Sequence, residues 1–154
     1  MEQLWAAAEF VRKLQTRMRF GKLSRASIRL LRLELRGDLA ECEWMARPPD
    51  PWDAGLLPGI GERNASLQAL EDSIAVRNLL FSAIPGVSTA VFRVYRQADD
   101  EDAELIITGT LNRQEKVADH IPSLAMRAKL CGFRFWLDDG VLGALQGEGC
   151  AMSP

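Results

Sequence analysis

Hydrophobic and polar residues alternate with a helical period at the start of the chain. The apolar positions lie three or four residues apart, which places them on one face of a helix: Leu4, Ala7, Val11, Leu14 and Met18. This spacing predicts a first helix over residues 2–20. Gly21 is suited to end it, because glycine tolerates the backbone conformation that follows a helix.

From Ser27 the period changes to two, which predicts two amphipathic strands joined by Gly37-Asp38. Glycine at the first central position of a two-residue loop favours a type II′ turn. This turn fixes the predicted cross-strand pairs, which are Leu35 with Ala40, Leu33 with Cys42, Leu31 with Trp44 and Arg32 with Glu43. The same register places Glu34 opposite Glu41, and we expect the diagonal Arg32 and Arg36 to relieve that repulsion.

Residues 48–63 contain four prolines and three glycines, a composition that predicts a long irregular loop. Loops of this length are often functional, so Asp50, Trp52 and Asp53 are candidates for ligand contact. The alternative is structural, with Trp52 and Leu56-Leu57 holding the loop against the core.

A second helix follows, capped by Asn64 or Ser66 and ended by Pro85-Gly86. Its predicted buried face holds Leu67, Leu70, Ile74, Phe81 and Ile84. Two strands, 89–97 and 104–111, then flank the acidic run 99–102, which we interpret as a solvated turn.

Asn112 and Glu115 have the spacing of a capping box, which predicts that a third helix starts at Asn112. Pro122 should kink or split this helix, which continues to Gly132. A last strand is predicted over residues 133–137, and the glycine-rich tail 140–154 is expected to be loosely ordered.

The predicted order is therefore α-β-β-α-β-β-α-β, with a strand-strand-helix unit occurring twice. We predict a single α+β domain over residues 1–154. Its antiparallel or mixed five-stranded sheet has helices packed on one face. The clean alternation of the strands leaves the second face polar or paired with another protomer.

The composition is that of an ordinary globular domain, with 154 residues of which 47% are hydrophobic and 26% charged. It excludes disordered, collagen-like and disulfide-framework proteins. Cys42, Cys131 and Cys150 are odd in number and lack metal-type spacing, which is typical of thiols in a reducing compartment. No export signal or transmembrane stretch is visible, so we expect a cytoplasmic protein.

The charge is unevenly distributed along the chain. Residues 1–36 hold nine basic and three acidic residues, whereas 37–154 hold ten basic and eighteen acidic residues. The candidate anion-binding residues of the basic N-terminal segment 1–25 are Arg12, Lys13, Arg17, Arg19, Lys22 and Arg25. They could bind nucleic acid or an anionic membrane, or dock against the acidic remainder of the chain.

The open face of the predicted sheet mixes cations with aromatic rings. Its candidate interface residues are Met45, Arg93, Tyr95, Arg134 and Trp136. Arginine and aromatic residues are enriched in protein interfaces, so we favour association with a second copy or another protein. A single-stranded nucleic-acid platform is the alternative, although the strand 104–111 lacks the aromatic residues such a sheet would carry.

No motif of high catalytic specificity is present. His120 is the only histidine, and the neighbouring nucleophiles Ser123 and Cys131 lack a nucleophile-elbow context. Asp138-Asp139 could join Asp50 or Asp53 to hold Mg²⁺ or supply an acid and a base, although a turn explains them equally well. The leading hypothesis is a non-enzymatic interaction domain with no metal or cofactor.

Residues 105–111, Leu-Ile-Ile-Thr-Gly-Thr-Leu, are followed by the Asn112 cap and later by Gly132-Phe133 entering a strand. This pattern resembles the BON domain, found in bacterial periplasmic and membrane-associated proteins. The resemblance covers residues 67–138, about half of the chain. It implies an interaction module, one that contacts phospholipid in some cases, and it implies no catalytic residue.

Overall fold

The three helices and the five strands of the main sheet follow one another in the order that the hydrophobic pattern predicts. The computed structural model describes residues 2–23, 25–55, 57–97, 102–114 and 120–145. The helices are α1 (Glu2–Arg17), α2 (Ile60–Ala83) and α3 (Leu124–Cys131), and a short 3-10 helix spans Pro51–Gly55. The strands are β1 (Arg29–Arg36), β2 (Leu39–Met45), β3 (Thr89–Gln97), β4 (Ala103–Asn112), β5 (Arg134–Phe135), β6 (Leu137–Asp138) and β7 (Val141–Leu142).

Five of these strands form one mixed sheet in the order β1-β2-β3-β4-β5. Strands β2 and β3 are parallel, and the other neighbours are antiparallel. The parallel pair requires a crossover, and α2 supplies it between β2 and β3. Strands β6 and β7 form a separate two-stranded sheet. The predicted α+β class with a mixed five-stranded sheet is confirmed.

The core lies on one face of this sheet. Alternate residues of β2 and β3 are buried there in register, so that Cys42 is opposite Phe92 and Trp44 is opposite Val94. The Phe92 ring meets Trp44 edge-on at a centroid distance of 5.9 Å, and it lies 5.7 Å from Phe133. Burial raises the pKa of the Cys42 thiol, which keeps it protonated and inert.

The first helix is shorter than predicted, and a different face of it is buried against the core. It ends at Arg17, and Phe10 is wholly buried together with Leu14 and Met18. Leu4, which the spacing places on the buried face, is 72% exposed. Phe10 and Leu14 also satisfy the four-residue spacing, so the period alone did not decide which of two neighbouring faces is buried.

The hairpin of β1 and β2 has the predicted register with one correction. The pairs from Leu35 with Ala40 to Arg32 with Glu43 are confirmed, and Gly37 has the positive φ of 61° that a type II′ turn requires. A bulge at Leu31 then places Leu30, not Leu31, opposite Trp44. The run of apolar residues at 30 and 31 hides this shift, because either leucine could face the core.

The loop predicted over residues 48–63 is partly helical. The 3-10 helix occupies Pro51–Gly55, and α2 begins at Ile60 after the N-cap Gly59, whose φ is 87°. The predicted caps, Asn64 and Ser66, therefore lie inside α2. Their side chains contact other segments: Asn64 Nδ2 donates to Asp53 and Ser66 Oγ accepts from the backbone N–H of Leu142. The remaining predicted face of α2 is buried except for Leu67, which is exposed.

Arg113, which the sequence places in the first turn of a third helix, instead bonds to the C-terminal end of α2. Asn112 is the last residue of β4, and residues 115–119 lie outside the described part. Arg113 donates to the carbonyl oxygens of Phe81, Ile84 and Val87 at 2.6, 2.8 and 2.7 Å. Carbonyl groups at a helix C-terminus lack partners within the helix, so this guanidinium supplies the missing bonds.

The C-terminal elements are shorter than predicted. The helix α3 begins after Pro122, with Ser123 Oγ accepting from the backbone N–H of Met126. The predicted strand over residues 133–137 is divided, because only Arg134–Phe135 joins the main sheet. The tail prediction is wrong for Val141–Leu142, which form β7 with Leu142 buried, whereas residues 146–154 lie outside the described part.

Gly109 of β4 allows the α3–β5 junction to approach the sheet. A Cβ at this position would lie 2.8 Å from the Gly132 carbonyl oxygen and 3.2 Å from Phe133 Cα. We expect Gly109→Ala to lower the free energy of unfolding by about 1–3 kcal/mol, because backbone atoms must move to admit the methyl group. Gly55→Ala is the matched control, since no atom lies within 4 Å of its Cβ position. Urea unfolding of both variants checks this, and equal stabilities would contradict it.

Candidate functional site

The face of the sheet opposite the core carries a network of alternating charges, which we call the charge ladder. It consists of Arg32, Glu34, Arg36, Glu41, Glu43 and Arg93. Arg93 Nη1 donates to Glu43 Oε2 at 2.9 Å and to Glu41 Oε1 at 3.3 Å, while Arg32 Nη1 donates to Glu43 Oε2 at 3.1 Å. The predicted relief of the Glu34–Glu41 repulsion is confirmed, because Arg32 and Arg36 reach both carboxylates.

The ladder also lowers the pKa of Glu41. Burial acts to raise the pKa of Glu41, but the hydrogen bond from Arg93 and the charges of Arg36 and Arg32 outweigh it and hold the pKa below its ordinary value. Glu41 thus stabilises the fold at a pH above the ordinary glutamate pKa, and this contribution is lost as the pH falls through its lowered value. At neutral pH, the charges of the ladder neutralise one another within the chain.

The structure places four of the predicted interface residues on the open face of the sheet and the fifth, Trp136, just beyond β5. Met45 and Tyr95 are neighbours in the β2–β3 register, and both are half-buried. Arg93 belongs to the charge ladder, and exposed Arg134 lies two strands away, opposite Thr108. Trp136 lies between β5 and β6, where it is 66% exposed and packs beside Gly143. The interface assigned to these residues stays a prediction.

The outer edge of β1 is a further exposed feature of the sheet. Among the described strands, β1 pairs with β2 alone, so one side of its eight-residue backbone faces away from the sheet. Leu31 at the bulge is 43% exposed, whereas Leu33 and Leu35 are half-buried against the core. A free strand edge of this length is a template for pairing with another chain.

The basic N-terminal residues divide into two groups. Three have acidic partners: Arg12 pairs with Glu9, Lys22 lies 3.8 Å from Glu71, and Arg25 Nε lies 3.8 Å from Asp50. The last two contacts join the basic segment to the acidic remainder of the chain. The other candidates, Lys13, Arg17 and Arg19, form no ion pair within the described residues, although Arg19 lies beside the Phe20 ring.

A buried ion pair that the sequence pattern did not single out holds this region in place. Arg47 donates to Asp72 through Nε at 2.7 Å and Nη2 at 3.2 Å, and their side chains are 1% and 5% exposed. Arg47 also donates to backbone carbonyls of the segment after α1. The sequence signal for this pair was weak: Asp72 lies three residues after buried Ala69 and four before buried Val76, but Gln68 on the same face is also polar and buried.

The aspartates proposed to hold a cation do not form a metal site. Asp50 accepts from the backbone N–H groups of Arg25 and Trp52, Asp53 accepts from Asn64, and Asp139 pairs with Arg63 at 3.2 Å. Asp50 and Asp53 line a small cavity of about 290 Å³. Over the residues that the structure describes, no group of three or more metal-ligating side chains comes together.

The candidate nucleophiles take structural positions. Ser123 caps α3, and Cys131 is buried at the end of that helix. His120 is exposed in the turn that precedes α3. Acyl transfer requires a base within hydrogen-bond reach of an accessible nucleophile, and no such bond joins His120 to Ser123 or Cys131 among the described contacts.

A cleft of about 770 Å³ lies at the carboxyl ends of β2 and β3, beside the first turns of α2. Parallel strands often present ligand sites at this end. Its walls are apolar at Met45 and Ile106, and two of its cations are already paired, Arg47 with Asp72 and Arg96 with Glu104 at 2.6 Å. Much of the charge in the cleft is therefore neutralised within the chain.

No protein-family model, curated protein or solved structure matches the chain. Within the described residues, none of the helices has the length and apolar character needed to cross a membrane. In the described part of the chain, the β1 edge and the basic segment both carry polar groups that the chain itself leaves unpaired.

Proposed function

We propose that the protein is a non-enzymatic interaction domain that associates with a second copy through the outer edge of β1. The observation that carries this proposal is the eight-residue edge, which among the described strands pairs with β2 alone. An unpaired edge presents N–H and C=O groups that a strand from another chain satisfies. The resemblance to the BON domain, still a hypothesis, agrees with the proposal because it also implies an interaction module.

The turn geometry determines which residues of β1 direct their backbone outwards. In a two-residue hairpin the flanking residues, here Arg36 and Leu39, form a hydrogen-bonded pair, and bonded and non-bonded pairs then alternate. Arg32 and Glu34 therefore bond to β2, whereas Leu33 and Leu35 direct their N–H and C=O groups away from it. These outward groups are available to a partner strand.

The sequence of β1 favours a second copy as that partner. An antiparallel pair with its two-fold axis at Leu33 places Arg32 opposite Glu34 of the second copy, and Leu31 opposite Leu35 of the second copy. An axis at Arg32 or at Glu34 would place identical charges opposite each other. An axis at Leu35 also places opposite charges against each other. The strand then reaches the Gly37 turn within three residues of the axis, so only a short stretch could pair. A two-fold arrangement closes on itself, so it gives a dimer and no fibre.

Leu33→Pro tests the association. Proline lacks the outward N–H but, by the alternation above, removes no hydrogen bond to β2, and it is tolerated on edge strands. We expect the wild-type chain to have twice the 17.1 kDa chain mass by multi-angle light scattering, and Leu33→Pro to have the single-chain mass. Leu33→Val keeps the N–H and is the matched control, which should remain a dimer.

A second variant separates loss of pairing from loss of folding. Leu31 is partly exposed, so Leu31→Lys should leave the monomer folded while placing an ammonium group against Leu35 of the second copy. Far-UV circular dichroism confirms folding of each variant. A wild-type chain of single-chain mass at every concentration would overturn the proposal, and so would folded Leu33→Pro and Leu31→Lys variants that remain dimeric.

A further inference from the structure

The segment after α1 is held to the domain by buried contacts at both ends. We call residues 17–26, apart from Ser24, the basic loop. Arg47 donates to the carbonyl oxygens of Met18 at 2.8 Å and Arg19 at 3.3 Å near its start, and to that of Ala26 at 2.7 Å at its end. Asp72 neutralises the same guanidinium. Both ends of the loop are thus attached to one buried side chain.

The middle of the basic loop is anchored as well. The backbone N–H of Leu23 donates to Gln68 Oε1 at 2.7 Å, and Gln68 in turn donates to Asp72 at 3.0 Å. The backbone N–H of Arg25 donates to Asp50 Oδ2 at 3.3 Å, which ties the loop to the segment that carries Trp52. Buried ion pairs contribute little net stability, but in several proteins they fix one arrangement of the chain. Here that arrangement is the course of the basic loop.

The basic loop exposes four cations and the Phe20 ring, and the exposed Trp52 ring lies beside it. Phe20 is 64% exposed with Arg19 Cζ 5.2 Å from its ring centre, and Trp52 is 74% exposed with Arg25 Cζ 5.6 Å from its ring centre. Arg17 and Lys22 add two further cations. The contacts of Lys22 and Arg25 with carboxylates are 3.8 Å long, so most of their donors stay available to a ligand.

We propose that the basic loop and Trp52 bind single-stranded nucleic acid. Bases stack on exposed aromatic rings, and phosphates pair with neighbouring cations; both interactions tolerate any sequence. Three of the four cations are arginines, which form bidentate bonds to phosphate and stack on planar rings. An amphipathic membrane anchor instead needs a continuous apolar face, whereas each of these two rings lies beside an arginine guanidinium. This site is independent of the β1 edge.

The test is fluorescence anisotropy of the full chain with a labelled single-stranded oligothymidylate of about twelve nucleotides, written dT12. Four cation–phosphate contacts on a single strand predict that affinity falls roughly fiftyfold between 50 and 200 mM NaCl. Loss of one stacking ring, in Trp52→Ala or Phe20→Ala, should weaken binding by about five- to a hundredfold. Both rings are mostly exposed, so we expect these variants to fold normally.

Trp136→Ala is the matched control, because Trp136 is equally exposed but lies outside the basic loop. It should bind dT12 as the wild-type chain does. Arg17→Ala and Arg19→Ala should each reduce the salt dependence by about one contact. The proposal is overturned if dT12 does not bind, if the ring variants bind as the wild type does, or if vesicles containing phosphatidylglycerol bind while dT12 does not.

Discussion

Asp72→Ala should lower the free energy of unfolding by roughly 3–5 kcal/mol. The substitution leaves the Arg47 guanidinium buried without its counter-ion, and it removes the acceptor of Gln68 as well. Stabilities of single domains are about 5–15 kcal/mol, so much of the total would be lost. Urea unfolding monitored by far-UV circular dichroism measures this effect. The same variant should bind dT12 more weakly, because the basic loop loses its anchor.

Two comparisons make this expectation specific to the buried pair. Asp138→Ala removes an exposed carboxylate and should change the stability by less than about 0.5 kcal/mol. Replacing both partners, as Arg47→Met with Asp72→Leu, removes the stranded charge but also the donors to three backbone carbonyls of the basic loop. We therefore expect the double variant to be more stable than Asp72→Ala and to bind dT12 poorly. A loss below 1 kcal/mol in Asp72→Ala would contradict the argument.

The order of the elements could be predicted from sequence because it rests on period alone. Strand β3 was predicted with its observed ends, and the hairpin register followed from Gly37 and the alternation on either side of it. The bulge at Leu31 could not be predicted, because Leu30 and Leu31 are equally apolar and only packing against Trp44 selects between them. The parallel pairing of β2 with β3 was likewise left open, since a crossover helix is compatible with other strand orders.

Long-range polar contacts explain the remaining differences. The residues next to Arg113 predict that it lies at the start of a helix. In the structure it bonds instead to backbone carbonyls near the end of α2, some thirty residues earlier. Among the candidate site residues, the sequence singled out the cations of the basic segment and Trp52 separately. Trp52 contacts one of these cations, Arg25, in the folded chain. The course of that segment depends on the Arg47–Asp72 pair, which joins segments 25 residues apart and leaves only a weak local pattern around Asp72.

The β1 register predicts how two charge-reversed variants behave together. In the proposed dimer, Arg32 and Glu34 face each other twice across the two-fold axis. Arg32→Glu alone places two glutamates opposite each other, and Glu34→Arg alone does the same with arginines. Each variant should therefore dissociate about ten- to a hundredfold more readily than the wild type, since opposite charges paired across strands stabilise and like charges destabilise by similar amounts.

An equimolar mixture of Arg32→Glu and Glu34→Arg should recover the dimer, because each glutamate of one chain then faces an arginine of the other. Disturbance of the charge ladder within each chain cannot produce this recovery. Arg36→Glu is the matched control, because it also breaks contacts with Glu34 and Glu41 within the chain. In this register residue 36 faces Leu30 of the second copy, so this variant should remain a dimer. Sedimentation velocity of the three variants and the mixture decides the register. A dimeric wild type whose charge variants do not recover on mixing would retain the β1 edge but exclude the axis at Leu33.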